Sequence, residues 1–236
     1  MSLKSRLFLI PSPLSEKDPA EVIPSSVLEL LHHIDRYVVE EERTVRRYLS
    51  RAGLKGHIDE LSFTVLNEHS SPEDVEKMLS LFEDGKDVGL ISEAGLPAVA
   101  DPGASLVALC HRHDIEVCPL VGPSSLMLAL MGSGLNGQSF AFRGYLPAKS
   151  ELRRSAIRDA EKLSASLHQT QIFIETPYRS DVLFQDFLNT LSPHSRLCVA
   201  KSLCSEKQYI KTYEVAVWRK KNLVIGKEPC VFLILS

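Results

Sequence analysis

Five apolar runs of strand length, each followed by a longer stretch of helical periodicity, occupy the first part of the chain. No other feature restricts the fold as much. Strands that alternate with helices demand a parallel sheet with helices packed on its faces. The runs cover residues 7–10, 37–39, 63–66, 88–91 and 115–120. Val27, Leu30, Leu31 and Ile34 recur at helical spacing, so a helix is expected over 22–33. Further helices are expected over 42–52 (stopped by Gly53), 71–82, 102–112 and 123–131. Ser71-Pro72-Glu73-Asp74 opens the third with a side-chain cap, a proline in the first turn and acids near the positive end of the dipole. Asp101 is placed to cap the helix that Pro102 starts.

After Gly132-Ser-Gly-Leu-Asn-Gly137 the pattern changes. A strand over 140–142, a basic helix over 149–163, a strand over 172–174 and a helix over 178–191 are followed by three strand-like segments at 197–200, 209–218 and 230–235. Strands in direct succession imply hairpins, hence a mixed sheet. Two α/β domains are therefore expected, over 1–137 and 138–236.

Composition removes several classes of protein. The 30 acids nearly balance 27 Lys plus Arg, and 44% apolar content is enough for a real core rather than a disordered chain. No run approaches the roughly 20 apolar residues of a membrane span. The short apolar stretch before Pro11 does not make a secretory leader, and a cytoplasmic protein is expected. Five widely spaced cysteines include no C-x-x-C, so they read as buried free thiols. The pairs His32-His33 and His111/His113 have the wrong spacing to meet at one metal ion on a helix, and no metal site is expected.

Gly132 to Gly137 fits G-x-G-x-x-G, but it follows a helix and precedes a strand. A dinucleotide fingerprint needs the reverse order. Neither a P-loop nor a G-x-S-x-G elbow occurs. The strongest constellation is the stretch from Gly89 to Gly103, which leaves the carboxyl end of the fourth strand, where open α/β sheets collect ligands. Within it Ser92, Glu93, Ala94, Gly95 and Pro97 are candidate ligand contacts. Pro11, Ser12 and Pro13 end the first strand, and Gly122, Ser124 and Ser125 follow the fifth. These segments offer amides and hydroxyls but little positive charge. They suit a ligand with an adenosine and an amino-acid part better than a polyphosphate.

The loop from Ser92 to Gly103 resembles the S-D-A-G-x-P-x-x-x-D-P-G signature of the tetrapyrrole methylase-like methyltransferases. The chain is most similar to the branch that methylates a cytidine ribose in small-subunit ribosomal RNA. Matching segments in the right order are Ile10-Pro-Ser-Pro13, Pro119 to Ser125, Gly144-Tyr-Leu-Pro-Ala-Lys149 and Phe173-Ile-Glu-Thr-Pro-Tyr-Arg179. Glu93 replaces the signature aspartate, Leu14-Ser15-Glu16-Lys17 stands where the family has Gly-Asn, and Glu40-Glu41-Glu42-Arg43 stands for its acid-Asp-Thr-Arg segment. The resemblance implies two α/β domains, S-adenosylmethionine bound in a cleft between them with Thr176 and Pro177 among its contacts, and a homodimer.

Methyl transfer from a sulfonium needs no covalent nucleophile, only near-attack geometry and exclusion of water. A hydroxyl acceptor would add a base. Glu175 and Lys149 are candidates, with Glu93 and Asp101 behind them. Arg43, Arg47 and Arg51 share a helix face at four-residue spacing, and Lys149, Arg153, Arg154 and Arg158 recur on a second helix. These cations are either solvated faces or contacts to RNA phosphates, and Arg43, Arg47, Arg51, Lys149 and Arg153 are the expected substrate contacts. RNA is the expected acceptor. The alternatives are a tetrapyrrole or other small molecule, and a non-catalytic RNA-associated protein.

Overall fold

The computed structural model describes residues 5–236, so the expectation for the first four residues lies outside them. The chain divides into two compact units that meet between Ser124 and Ser125.

The first unit holds strands β1 (Arg6–Ile10), β2 (Arg36–Val39), β3 (Ser62–Val65), β4 (Val88–Ile91) and β5 (Glu116–Pro119), with helices α1 (Ser25–Leu31), α2 (Glu42–Leu49), α3 (Pro72–Lys77) and α4 (Ala104–Arg112). All pairings are parallel, in the order β3-β2-β4-β1-β5. Alternate residues of each strand serve opposite faces, as the period of two requires. Phe8, Ile10, Tyr37, Val39 and Ile91 pack with Val27 and Leu31 of α1 and Val45 and Leu49 of α2. Leu7, Val38, Val88 and Leu90 pack with Val75 of α3 and Leu106 and Leu109 of α4 on the other face. The central strand β4 is apolar throughout because both its faces are covered, whereas the edge strands β3 and β5 keep Ser62 and Glu116 exposed.

The helices are shorter than the periodicity predicts, and each end has a local cause. Pro24 precedes α1, so the expected helix over 22–33 begins only at Ser25. A π turn over Ser50–Leu54 follows α2 and ends where Gly53 takes φ +106°, a left-handed conformation natural to glycine. Ser71 and Asp74 form a reciprocal capping box on α3, with Pro72 in the first turn. Asp101 does not cap α4 directly. That helix starts at Ala104, and the Asp101 carboxylate instead accepts the Gly103 N–H at 2.7 Å and the Ala98 N–H at 3.4 Å, tying up the loop before it.

The second unit contains α5 (Ser125–Ser133), β6 (Phe140–Gly144), α6 (Ser150–Leu167), β7 (Thr170–Glu175), α7 (Ser180–Thr190), β8 (Arg196–Lys201), β9 (Tyr209–Glu214), α8 (Val215–Trp218) and β10 (Cys230–Leu235). Its sheet is mixed, ordered β6-β7-β10-β8-β9, with only β6 and β7 parallel. Leu126, Ala129 and Leu130 of α5 pack on Ile172, Cys198, Ala200, Val231 and Leu233. The division thus falls before α5, not near residue 137, because this helix buries its side chains on the second sheet. Helices α6, α7 and α8 cover the other face through Ile157, Phe184, Phe187 and Trp218. The strand expected over 209–218 breaks at Glu214, where Val215 and Trp218, three apart, turn one helical face into the core. The Trp218 indole N–H donates to the Leu197 carbonyl at 2.7 Å. Gly132 lies inside α5 against Ile210, which confirms that the glycine pattern there is no nucleotide fingerprint.

Candidate functional site

Strands β1 and β4 are neighbours, but the helices that follow them lie on opposite faces of the sheet. Their carboxyl ends therefore mark the switch point of the sheet, the position where open α/β sheets bind ligands. The structure builds a closely tied set of loops at this edge. Ser12 and Gly95 exchange backbone hydrogen bonds of 2.9 and 3.0 Å, and the Ser12 hydroxyl donates to the Ser92 carbonyl at 3.0 Å. The Tyr48 hydroxyl, on α2, donates to the Pro11 carbonyl at 3.0 Å. Gly122 faces Pro11 so closely that a Cβ there would lie 2.2 Å from the proline ring. Gly122 therefore permits loop-to-loop packing rather than leaving open room for a ligand. Gly95 has φ +81° and lies near Leu14 and the Pro123 carbonyl, a conformation that glycine adopts without strain. Ala98 and Ala100 also have positive φ, at 64° and 59°, so the loop over 92–103 is held in an uncommon shape.

The expected contacts separate by exposure. Pro11, Ser12, Ser92, Gly95 and Pro97 are buried, Pro13, Gly122, Ser124 and Ser125 are half-buried, and Glu93 and Ala94 face solvent. The Ser92 hydroxyl is buried and lacks a hydrogen-bond partner among the described residues, an unmet polar group at the end of β4. Beside it the sequence reading missed Glu40, which ends β2 next to β4. Burial pushes its carboxyl above the ordinary glutamate value, Asp101 and Glu93 add to the rise, and the Glu93 backbone N–H offsets part of it. An acid just after a parallel strand that neighbours β4 was the available signal. The edge is rich in carboxylates.

In the second unit, Glu175 ends β7 with its side chain fully buried. One oxygen accepts the Thr176 N–H at 2.8 Å, and the other lies 2.8 Å from the Arg179 guanidinium. Arg179 also donates to the Leu146 carbonyl at 3.0 Å. Glu175 thus braces the turn through Thr176, which is exposed, and Pro177, which is half-buried. Lys149 is exposed at the start of α6.

One expected substrate contact, Arg153, is corrected. Arg153 is only 5% exposed; its guanidinium pairs with buried Asp186 at 2.6 Å and donates to the Pro147 and Ala148 carbonyls. It lies on the same stripe as Ile157, Ala160 and Ser164, so it faces the core and cannot meet an RNA phosphate. Arg51, also exposed, binds Glu16 and the backbone carbonyls of Glu16 and Lys17, and so braces the loop after β1. Arg43 and Arg47 remain exposed on α2. Among the described residues no group of three His, Cys, Asp or Glu side chains is placed to hold a metal ion, and no helix is long and apolar enough to cross a membrane.

No family model matches the chain. The ribosomal RNA small subunit methyltransferase I of Vibrio cholerae is 30% identical over 89% of this chain and 69% of its own length. The protein of the same name from Thermotoga maritima is 31% identical over 79% of this chain and 78% of its own. A solved uroporphyrin-III C-methyltransferase of Thermus thermophilus, complexed with S-adenyl homocysteine, shares the fold with a TM-score of 0.57 at 18% identity, over 98% of both chains. On the strength of the sequence match along most of both chains, this protein is a methyltransferase and belongs to the ribosomal RNA small subunit methyltransferase I family.

Proposed function

We propose that the protein transfers a methyl group from S-adenosylmethionine to a ribose hydroxyl of ribosomal RNA. The match over 89% of the chain to a methyltransferase named for that RNA carries the reading. The carboxyl edge of the first sheet supports the choice of cofactor. Glu40, Glu93 and Asp101 set up a negative potential there, which favours a ligand that is cationic at its sulfur and its amino group and disfavours a polyphosphate. The buried Ser92 hydroxyl offers an unused hydrogen-bonding group. Gly95 lets the loop over 92–97 take its shape against Ser12 and Leu14. When bound, the cofactor supplies a methyl group on a positively charged sulfur that is already a good leaving group.

The chain's own contribution is to hold that ligand in a fixed orientation and to keep water away. In the first unit Pro11 to Pro13, Ser92 to Pro97 and Ser124 hold the cofactor in this reading, with Gly122 packing its loop against Pro11. Glu175 orients its turn, one oxygen accepting the Thr176 N–H and the other paired in charge with the Arg179 guanidinium. Exposed Arg43, Arg47 and Lys149 meet RNA phosphates. The enzyme works in the cytoplasm as a homodimer.

Titration calorimetry with S-adenosylmethionine tests the cofactor assignment. One site per chain is expected, and no heat and no thermal shift at millimolar cofactor would overturn it. Light scattering tests the dimer: a mass of twice 26.3 kDa is expected, and the mass of one chain contradicts it.

A further inference from the structure

The second unit displays two exposed tyrosines at one end of its sheet. Tyr145 follows β6 and Tyr178 follows β7, and these strands are parallel neighbours. Arg179 joins the two loops directly, because it is next to Tyr178 in sequence and donates to the carbonyl of Leu146, next to Tyr145. Tyr178 is 79% exposed, an unusual state for an aromatic ring held in an ordered turn.

That turn is built with care on both sides. Glu175 fixes it from within through Arg179 and the Thr176 amide. From the other side, Asp181 accepts the N–H groups of Ile225 at 2.7 Å and Gly226 at 3.1 Å, and Gly226 takes φ +73°. Lys201 adds bonds to the Val224 and Ile225 carbonyls. These contacts set the Lys227 ammonium 5.6 Å from the centre of the Tyr178 ring, within range of a cation–π interaction. Val182 and Val224 extend the exposed apolar surface on the two segments that Asp181 joins. Of the acids nearby, Glu175 is paired with Arg179 and Glu228 with Lys207, while Asp181 keeps its charge beneath the two amides. Lys149 and Lys227 supply exposed positive charge on this side.

We infer that Tyr178, with Tyr145 beside it, is a stacking platform for unpaired bases of the RNA substrate, and that Lys227 and Lys149 hold the flanking phosphates. A flat exposed ring with a cation next to it is what a splayed single-stranded base requires, since every base presents a π face and every nucleotide a charge. The inference rests on the RNA reading above and adds where and how the RNA is gripped.

The test uses the whole protein with Tyr178→Ala, Tyr178→Trp and Lys227→Gln. The measurements are the KM for small-subunit ribosomal RNA, the KM for S-adenosylmethionine, and quenching of a single-stranded oligoribonucleotide that carries 2-aminopurine. Tyr178→Ala is expected to raise the RNA KM about tenfold or more and to abolish quenching. Tyr178→Trp is expected to preserve both, and Lys227→Gln to weaken binding mainly at low salt. The cofactor KM and the melting temperature are expected to hold. An unchanged RNA KM in Tyr178→Ala, when the wild type methylates that RNA, overturns the platform and leaves the enzyme's function standing. Loss of a protein partner with RNA kinetics intact likewise overturns it, in favour of protein docking. A wild-type enzyme that neither binds nor methylates RNA overturns the RNA reading itself, and the platform with it.

Discussion

Gly122→Ala probes the tied loops of the first unit at their tightest point. The new Cβ would lie 2.2 Å from Cβ and 2.3 Å from Cγ of Pro11, whereas unbonded carbons rest about 3.5–4.0 Å apart. Something must move by about 1.5 Å. Pro11 cannot swing aside by a change of rotamer, because its ring is closed on the backbone. Its carbonyl holds the Tyr48 hydroxyl, and the next residue, Ser12, is held by two backbone bonds to Gly95. Overpacking costs about 1–3 kcal/mol, and strain passed into the Ser12–Gly95 pair endangers hydrogen bonds worth about 1 kcal/mol each. A total of about 3 kcal/mol corresponds to a melting temperature about 6–12 °C lower for a chain of this size. Differential scanning calorimetry reads the shift, and titration calorimetry reads cofactor affinity, expected to fall about tenfold or more. Gly137→Ala, whose Cβ meets nothing within 4 Å, is the matched control and should stay within about 0.5 kcal/mol of wild type. If Gly122→Ala melts with the wild type and binds cofactor equally well, the loops are not coupled as described.

Arg153→Ala leaves Asp186 buried with only the half-exposed Arg154 as partner, so denaturant unfolding should show a loss of about 3–5 kcal/mol. Burial alone would raise the Asp186 carboxyl, but the guanidinium groups of Arg154 and Arg153 outweigh it and hold it below the ordinary value. Its contribution is therefore present above the usual aspartate range and lost as pH falls through the lowered value, and the variant should unfold at a higher pH on acidification. Glu40 behaves oppositely. Its raised carboxyl stabilises the fold below the ordinary glutamate value, and that benefit is lost as pH rises through the raised one. Glu40→Gln should flatten that part of the stability profile and weaken binding of the cationic cofactor, and equal affinity in both proteins would remove Glu40 from the site. Replacing Arg43 and Arg47 together with alanine should weaken RNA binding and reduce its salt slope by about 1.4, or about 0.7 for each phosphate contact to a single strand, with cofactor affinity unchanged.

The alternation of strands and helices was legible because a strand covered on both faces must be apolar along its length, as Val88 to Ile91 are. Legible too was the meeting of Pro11 to Pro13, Ser92 to Pro97 and Gly122, since parallel strands bring their carboxyl ends to one edge. The sequence did not reveal which sheet α5 serves. Residues 125–133 carry no charge, and a helix with no polar face says that it is buried but not against what. Arg153 misled because it sits in a run of cations. Its spacing from Ile157, Ala160 and Ser164 placed it on the core stripe, a sign that counting charges overlooks. The bracing role of Arg51 was hidden for another reason: its partners, the Glu16 and Lys17 carbonyls, are more than thirty positions away in sequence, and only the fold brings them near.

Methyl transfer itself is the most direct trial of the account. Purified protein is incubated with S-adenosylmethionine labelled in its methyl group, together with unmodified small-subunit ribosomal RNA in one reaction and a tetrapyrrole precursor in another, at low and high salt. The account predicts label in the RNA, as a methylated ribose in its nuclease digest, with incorporation falling as salt rises and lost with Arg43 and Arg47. Label confined to the tetrapyrrole, indifferent to salt and to those arginines, would contradict it.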